Sequence, residues 1–341
     1  MQKMFMFVKS CYMKRITIKD IAREMGLHHS TVSRALRSRS EINQATREKV
    51  LKYAALKGYQ VNRNALQLRG SGSNIIGVIV PNIHHSFFSN FVSIITRLAF
   101  EAGYIVAVFQ SEESVEQEKE ILKSIIQQNI AGVIASISME TTDTSHFQQL
   151  DHYKIPMVGF DRISSSLKTS TVELDNLSTL RNVVTTLHSR GYTKIAYLSG
   201  NPSIHLYQER QKGYFGGLKA IGTSYQKCLQ LTDKFTIEQG YHATEKLMEA
   251  PEKPDALIFD SHILACGGLQ YLKKQGDRLL ENTGIATFGG HPWLSISAAN
   301  ILFIQQPEDQ IAKATFDLLM ENIVHPTQVK TTALKFQATL I

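Results

Sequence analysis

Short apolar runs alternate with helical segments along most of the chain, and this alternation constrains the fold more than any other feature of the sequence. The β-branched runs are short enough to be buried strands; they are NIIGVIVP, YIVAVFQ, AGVIASI, IPMVGFD, KIAYLSG, DALIF, GIATFG and ILFIQQ. Helical segments, such as 87–102 and 114–128, separate most of them. Strands that alternate with helices form parallel sheets covered by helices on both faces. The sequence therefore predicts an α/β domain with parallel sheets over residues 75–341.

Charge divides the chain into a basic head and a mildly acidic body. Residues 1–70 contain 15 Lys and Arg against 4 Asp and Glu, a net charge of +11, whereas residues 71–341 have a net charge of −4. A basic module joined to an acidic domain indicates a protein that binds a polyanion. The three cysteines are scattered, and no apolar run approaches the roughly 18 residues of a membrane span. We therefore expect a cytoplasmic protein with no disulfide frame, no thiolate zinc site and no membrane partner.

The head is predicted to begin with two short helices joined by a tight turn. In ITIKDIAREM the apolar residues recur at helical spacing, with Thr17 as the amino-terminal cap. Gly26 ends this helix, and a three-residue turn leads into a second helix from about His29 to Leu36. Two helices joined in this way are typical of a helix-turn-helix motif.

A third helix is predicted after a polar loop. Asn43 is placed to cap its start, and Gly58 is the expected residue after its end. Its buried stripe is predicted to consist of Val50, Leu51 and Ala54.

The second helix, HSTVSRAL, has a polar face. At about 100° per residue, the side chains that share this face are His29, Ser30, Ser33 and Arg34. Short polar side chains and an arginine near the amino terminus suit a helix that reads the major groove of DNA. Two alternatives stay open, a solvated face on an ordinary core helix and a metal site at His28 and His29. Adjacent residues diverge on a helix and no third ligand has a suitable spacing, so the metal site is the weaker alternative.

The stretch ITIKDIAREMGLHHSTVSRALRSRSEINQATREKVLKYAALKGYQVNRNALQLRG resembles the amino-terminal domain of the lac/galactose repressor (LacI/GalR) family. Its TVSR core and its GYxxN…AxxL tail carry the resemblance. It implies an all-α helix-turn-helix headpiece over residues 14–61 that binds double-stranded operator DNA. A homodimer is expected, because one helix-turn-helix buries too little surface for tight specific binding. Bases would be contacted by His29, Ser30 and Arg34. Phosphates, which position the protein without specifying sequence, would be contacted by Thr17, Thr31, Ser33 and Asn43.

Residues 62–74 are expected to be a hinge helix and linker. NRNALQLRG, residues 62–70, matches the hinge helix of the family, which implies that Leu68 wedges into the minor groove with Asn62 and Ala65 beside it. Val61 stands where the family commonly has proline. A small amphipathic helix packed on the body is the alternative. Residues 1–13 are expected to be an extension, with Met13 as an alternative start.

Residues 75–341 resemble the effector domain of the same family, a two-lobed fold shared with periplasmic sugar-binding proteins. The matching segments include IGVIVPNIHHSFFSNFV, VGFD and QERQKGY. They lie near the carboxyl ends of predicted strands, where open α/β sheets bind ligands. The resemblance implies a pocket for a small carbohydrate-type effector. Its candidate residues are His84, Phe87, Asp161, Arg210, Phe235, Ser261, His262 and Gln306.

Two departures from the family pattern bear on the effector. Ser261 and His262 replace the usual Asn-Asp pair, and TFGG replaces a strand end that usually carries Asp. With two acidic positions lost and the imidazoles of His84 and His85 added, an anionic effector, such as a sugar phosphate or a sugar acid, is favoured over a neutral polyol.

Motifs for catalysis and cofactors do not appear in the sequence. It contains no GxGxxG opening a helix, no Walker A loop and no GxSxG elbow. We therefore expect no cofactor and no catalytic residues. The sequence favours a transcriptional regulator that acts as a repressor. The alternative is a sugar-processing α/β enzyme with an attached basic domain.

Overall fold

The structure, a computed structural model, describes residues 16–36, 42–59, 73–164, 166–231, 235–289, 301–326 and 331–341. The chain divides into two compact units, residues 1–72 and residues 73–341.

The first unit contains helices α1 (Ile18–Met25), α2 (His29–Leu36) and α3 (Gln44–Leu56). Thr17 and Asp20 form a reciprocal capping box at the start of α1, and Gly26 ends it with a φ of 65°. At the start of α3 the Asn43 side chain accepts a hydrogen bond from the Ala45 amide at 2.9 Å. The predicted caps and the helix-turn-helix are confirmed.

The core of this unit lies between the three helices. Its fully buried side chains include Ile21, Val32 and Val50, with Ala54 beside them. Leu51 was predicted to be buried with Val50, and this is wrong because 40% of its surface is exposed. Leu51 points about 100° away from Val50 around the helix axis. It therefore lies outside the face of α3 that packs against the two shorter helices.

The second unit has two lobes, each built on a six-stranded sheet. The first lobe contains β1 (Ile75–Val80), β2 (Ile105–Gln110), β3 (Gly132–Ala135), β4 (Met157–Phe160), β5 (Ser170–Leu174) and β11 (Ala333–Phe336). Its helices are α4 (Ser86–Glu101), α5 (Val115–Gln127), α6 (Gln148–His152) and α12 (Glu308–Val324). The strand order is β11-β5-β4-β3-β1-β2, and every pair is parallel.

The second lobe contains β6 (Ile195–Ser199), β7 (Lys227–Gln230), β8 (Ala256–Phe259), β9 (Gly284–Phe288), β10 (Ile301–Gln305) and β12 (Thr339–Leu340). Its helices are α7 (Asn176–Ser189), α8 (His205–Ala220), α9 (Ile237–Met248), α10 (His262–Gln275) and α11 (Asp277–Asn282). The order is β12-β10-β9-β8-β6-β7, and β12 alone among these strands pairs antiparallel, with β10.

The chain passes between the lobes after β5, after β10 and between β11 and β12. The carboxyl ends of several strands from both sheets therefore face a common cleft, which is where an α/β fold binds ligands. Within the described ranges, no helix is both long and apolar enough to cross a membrane.

Candidate functional site

Helix α2 carries the side chains predicted to contact DNA. His29 and Arg34 are exposed, and Ser30 and Thr31 are half-buried. Ser33 does not share their exposed face, because only 9% of its surface is accessible. It lies about 100° from the fully buried Val32, at the border of the face that packs on the other two helices.

The amino terminus of α2 is organised by His28, which was not predicted to contact DNA. The Nδ1 atom of His28 lies 2.7 Å from the Ser30 hydroxyl, and the His28 carbonyl accepts a hydrogen bond from the Thr31 amide at 3.0 Å. The rings of His28 and His29 are 4.2 Å apart. The hydroxyl of Ser30 therefore already has a partner before any base is contacted.

Thr17 and Asn43 lie at the amino termini of α1 and α3, where each caps its helix. Helix amino termini present backbone amides and the positive end of the helix dipole, so they are suitable places for phosphate groups. The predicted hinge contacts Asn62, Ala65 and Leu68 lie outside the described residues.

A small polar cavity lies in the cleft between the two lobes. Its volume is about 30 Å³, enough for a water molecule but far below the roughly 300–1,000 Å³ of a typical ligand pocket. The residues around it are His85, Phe87, Phe88, Asp161, Arg162, Leu206, Tyr207, Arg210, Phe235, Asp260, Phe288 and Gln306.

Five predicted effector contacts lie together around this cavity, and three do not. Those that line it are Phe87, Asp161, Arg210, Phe235 and Gln306. His84 is exposed, and its neighbour His85, directly before α4, lines the cavity instead. Ser261 and His262 lie behind the lining, where the Ser261 side chain caps α10.

Arg210 is held rigidly in the wall of the cavity. Its Nε donates to the Asn176 side chain at 2.8 Å, and its Nη1 donates to Asp260 Oδ1 at 2.9 Å. The guanidinium lies over the ring of Phe288, 3.4 Å from the centroid. Only 4% of Arg210 is exposed, so the surrounding residues hold its side chain in place. The Nη2 group takes part in neither of these two hydrogen bonds.

Asp260 holds Arg210 in place because two further hydrogen bonds within the protein hold Asp260 itself. It accepts hydrogen bonds from the Tyr197 hydroxyl at 2.6 Å and from the Gly200 amide at 2.7 Å. Burial, and then the charge of Asp260, raise the pKa of Tyr197 well above its usual value. Tyr197 therefore remains a neutral donor, and Asp260 serves as a support for Arg210.

Arg162 places a second buried guanidinium at the cavity, although it was not among the predicted effector contacts. Its Nη1 donates to both carboxylate oxygens of Glu113, at 2.8 and 2.7 Å. It lies between the rings of Phe88 and Tyr207, each about 6 Å away. Glu113 has a φ of 64°, a strained backbone conformation that proteins tend to keep at functional sites.

Asp161 is the carboxyl group of the cavity with the least protein support. Its φ is 55°, again in the left-handed region. Burial raises the pKa of Asp161, and the guanidiniums of Arg162 and Arg210 limit the rise. The side-chain amide of Gln306 also lowers the pKa of Asp161 by hydrogen bonding. Its buried Nε2 makes no hydrogen bond within the usual distance and angle limits to a described residue, so a ligand oxygen can take this donor.

The two units together define a class of protein. One is a basic helix-turn-helix module, and the other is a two-lobed α/β domain with a polar cavity between its lobes. This combination defines a DNA-binding regulator that responds to a small molecule.

Comparison with known proteins gives the family. Residues 17–62 match bacterial regulatory proteins of the lacI family, and residues 73–339 match the periplasmic binding proteins and sugar binding domain of the LacI family. The transcriptional repressor CytR of Escherichia coli is 29% identical over 90% of this chain and 89% of its own. The sucrose operon repressor of Klebsiella pneumoniae is 27% identical over 91% and 93%.

Solved structures agree on the fold. The lac repressor dimer, bound to operator and the anti-inducer ONPF, superposes with a TM-score of 0.83 at 21% identity, over 96% of this chain and 98% of that one. The chain belongs to the LacI family of bacterial regulatory proteins. It is a DNA-binding transcriptional repressor with a sugar-binding effector domain, and the alternative of a sugar-processing enzyme is set aside.

Proposed function

We propose that the effector of this repressor is a small, oxygen-rich molecule of the carbohydrate type that carries a negative charge. The observation that carries this proposal is an excess of donors around the cavity. Arg162 and Arg210 each keep N–H groups outside their ion pairs, and Gln306 keeps a buried amide. Asp161 is the carboxyl that faces them, and the side-chain amide of Gln306 lies beside it. A ligand rich in acceptor oxygens satisfies such a wall, and because the cavity holds only about 30 Å³, the two lobes must separate to admit it.

The protonation state of Asp161 determines whether the cavity accepts an anionic effector. Arg162 is neutralised by Glu113 and Arg210 by Asp260, so an anion would meet net repulsion if Asp161 were ionised. Because burial raises the pKa of Asp161, its neutral form is accessible at higher pH than usual. A protonated Asp161 donates to an anionic oxygen, and the aromatic side chains around the cavity cover the apolar face of the sugar.

Calorimetry with matched ligands tests this proposal. Gluconate should bind more tightly than glucose, and ribonate more tightly than ribose. The affinity for the acids should fall as pH rises through the raised pKa of Asp161, because ionising this group places a carboxylate against the anion. A sugar acid is a better test ligand than a sugar phosphate. The second ionisation of a phosphate falls at about pH 6, whereas the carboxyl of a sugar acid titrates at lower pH and keeps its charge while Asp161 titrates. Asp161→Asn should retain the preference and lose the pH dependence, whereas tighter binding of the neutral sugars would contradict the proposal.

We infer that α2 enters the major groove of operator DNA. Under this proposal His29, Ser30 and Arg34 read bases. The phosphate contacts would come from Thr17, Thr31, Ser33 and Asn43, with residues 62–74 as hinge and linker. The exposed positions of His29 and Arg34 on one short helix support it.

Replacing Arg34 with alanine should weaken binding to the cognate operator by about 1–3 kcal/mol and relax the preference at one base position. Lys52→Ala is the matched control, since it removes one exposed positive charge from α3. Gel-shift titrations on cognate and scrambled duplexes measure both variants. If Arg34→Ala weakens both duplexes equally, Arg34 contacts phosphate and its assignment as a base reader fails.

We also propose that the repressor acts as a homodimer. Three apolar side chains are exposed along one edge of the first lobe, at the end of α4 and on the edge strand β2: Phe100, Ile105 and Val108, at 83%, 55% and 42%. An apolar edge strand of this kind is usually covered by another chain. A second copy would also supply the second headpiece that a near-palindromic operator requires.

A further inference from the structure

A hydrogen bond joins the two lobes across the cleft. His85 precedes α4 in the first lobe, and its Nε2 lies 3.3 Å from the hydroxyl of Ser261, which caps α10 in the second lobe. The ring of His85 also meets the ring of His262, the first residue of α10, edge-on at 4.9 Å. His85 therefore contacts the opposite lobe through both a polar atom and its ring face.

The Ser261 hydroxyl is a hydrogen-bond partner for His85 in either tautomer. Its oxygen accepts a hydrogen bond from the Ile263 amide at 3.2 Å, and it keeps its second lone pair and its one hydrogen for Nε2 of His85. Nδ1 is fully buried and makes no hydrogen bond to a described residue.

The charged groups that face His85 oppose its protonation. Arg162, after β4, and Arg210, on α8, are cations beside it, and His262 on α10 adds a further repulsive contribution. The carboxyls of the same cavity are Asp161 and Asp260, and Asp260 is occupied by Arg210. Burial first, and then His262 and the arginines, lower the pKa of His85 to about 3.

We propose that His85 is a positioning residue that holds the two lobes together only while its imidazole is uncharged. A protonated ring would place an N–H group on Nδ1, which is buried without an acceptor among the described residues, and would bring a third positive charge beside two guanidiniums. The inference rests on the proposed function in one respect, that the effector occupies the cleft which these lobes close. Closure itself involves no effector and is measured without one.

The sign of the pH dependence follows from the pKa of His85, which differs between the open and the closed arrangement of the lobes. When the lobes separate, His85 meets water and its pKa returns to about 6.5. Because the pKa is lower in the closed arrangement, closure is fully favoured above the open-state value and is lost as pH falls below it. Each pH unit lower should reduce the closed-to-open ratio about tenfold, so the ratio falls roughly tenfold by about pH 5.5.

Single-molecule energy transfer on the full chain measures this ratio. Dyes are attached through non-canonical amino acids at Glu120 on α5 and Gln208 on α8, both exposed and in different lobes, so the native cysteines stay in place. The closed-to-open ratio of the wild-type protein should fall about thirtyfold between about pH 8 and pH 5, and the fall should begin near the open-state pKa of about 6.5. No effector is added, so failure of the anionic-effector proposal would leave this result unaffected.

Two amide variants separate the contact from the charge. His85→Gln reaches the position of Nε2, so it should keep the lobes closed and remove the pH dependence. His85→Asn reaches only the position of Nδ1 and should weaken closure at every pH. His84→Gln, at the exposed neighbouring position, should behave like the wild type. A closed population that does not change with pH in the wild type, or an unchanged pH profile in His85→Gln, would overturn the proposal.

Discussion

Replacing Arg210 with alanine is expected to destabilise the protein by about 3–5 kcal/mol, because it leaves the carboxylate of Asp260 buried without its cation. Both side chains are almost completely inaccessible, at 4% for each residue, so water cannot replace the missing guanidinium. The same change removes a donor from the effector cavity, so binding of the effector and the response of operator binding should both be lost.

Urea unfolding and calorimetry with the sugar acids measure these two effects. Arg210→Lys keeps a cation beside Asp260 but loses the bond to Asn176 and the flat contact with Phe288, so it should be more stable than Arg210→Ala and still bind the effector poorly. Lys212→Ala removes an exposed charge from the same helix and should change stability by less than about 0.5 kcal/mol. A variant Arg210→Ala with wild-type stability would contradict the account of the Arg210–Asp260 pair.

The headpiece could be predicted from its sequence because its structure is fixed by local contacts. Thr17, Gly26 and Asn43 each cap or end a helix through neighbours within a few residues. Leu51 and Ser33 were placed wrongly because their exposure depends on how closely three short helices pack, which periodicity alone does not give.

In the two-lobed unit, the predicted strands are the apolar, β-branched runs, and the strands β5, β7, β11 and β12 were not predicted. Strand β7, KCLQ, is a half-exposed edge strand, and β12 has two residues and pairs antiparallel. Neither has the composition of a buried parallel strand. Glu118 shows the same limit on a helix: it stands in the charged stretch VEQEKE yet is fully buried, where it accepts hydrogen bonds from Ser138 and Thr141.

The cavity was located from strand ends, but its wall could not be assigned in full. Arg162 directly follows Asp161 at the end of β4, so its place in the sequence was a usable signal. Its partner Glu113 lies 49 residues away, and that pairing depends on the fold. The choice between His84 and His85 depends on the backbone of one turn, which the sequence pattern does not determine.

Binding of the full chain to duplex DNA is expected to weaken by about 10³–10⁵ between roughly 50 and 200 mM salt, as for proteins that contact about six to ten phosphates. The net charge of +11 over residues 1–70 provides the cations, and three helix amino termini, at Thr17, His28 and Asn43, provide places for phosphates. Counterions released from the DNA make the logarithm of affinity fall linearly with the logarithm of salt concentration.

The most direct test is an equilibrium titration of the full chain with two duplexes, an operator selected by the protein from a random pool and its scrambled version. We expect the selection to yield an inverted repeat that binds at least about 10³-fold more tightly than the scrambled duplex at near-physiological salt. Both affinities should fall steeply as salt rises. Equal affinity for the two duplexes, or binding that is unchanged by salt, would contradict the account of this chain as a sequence-specific repressor.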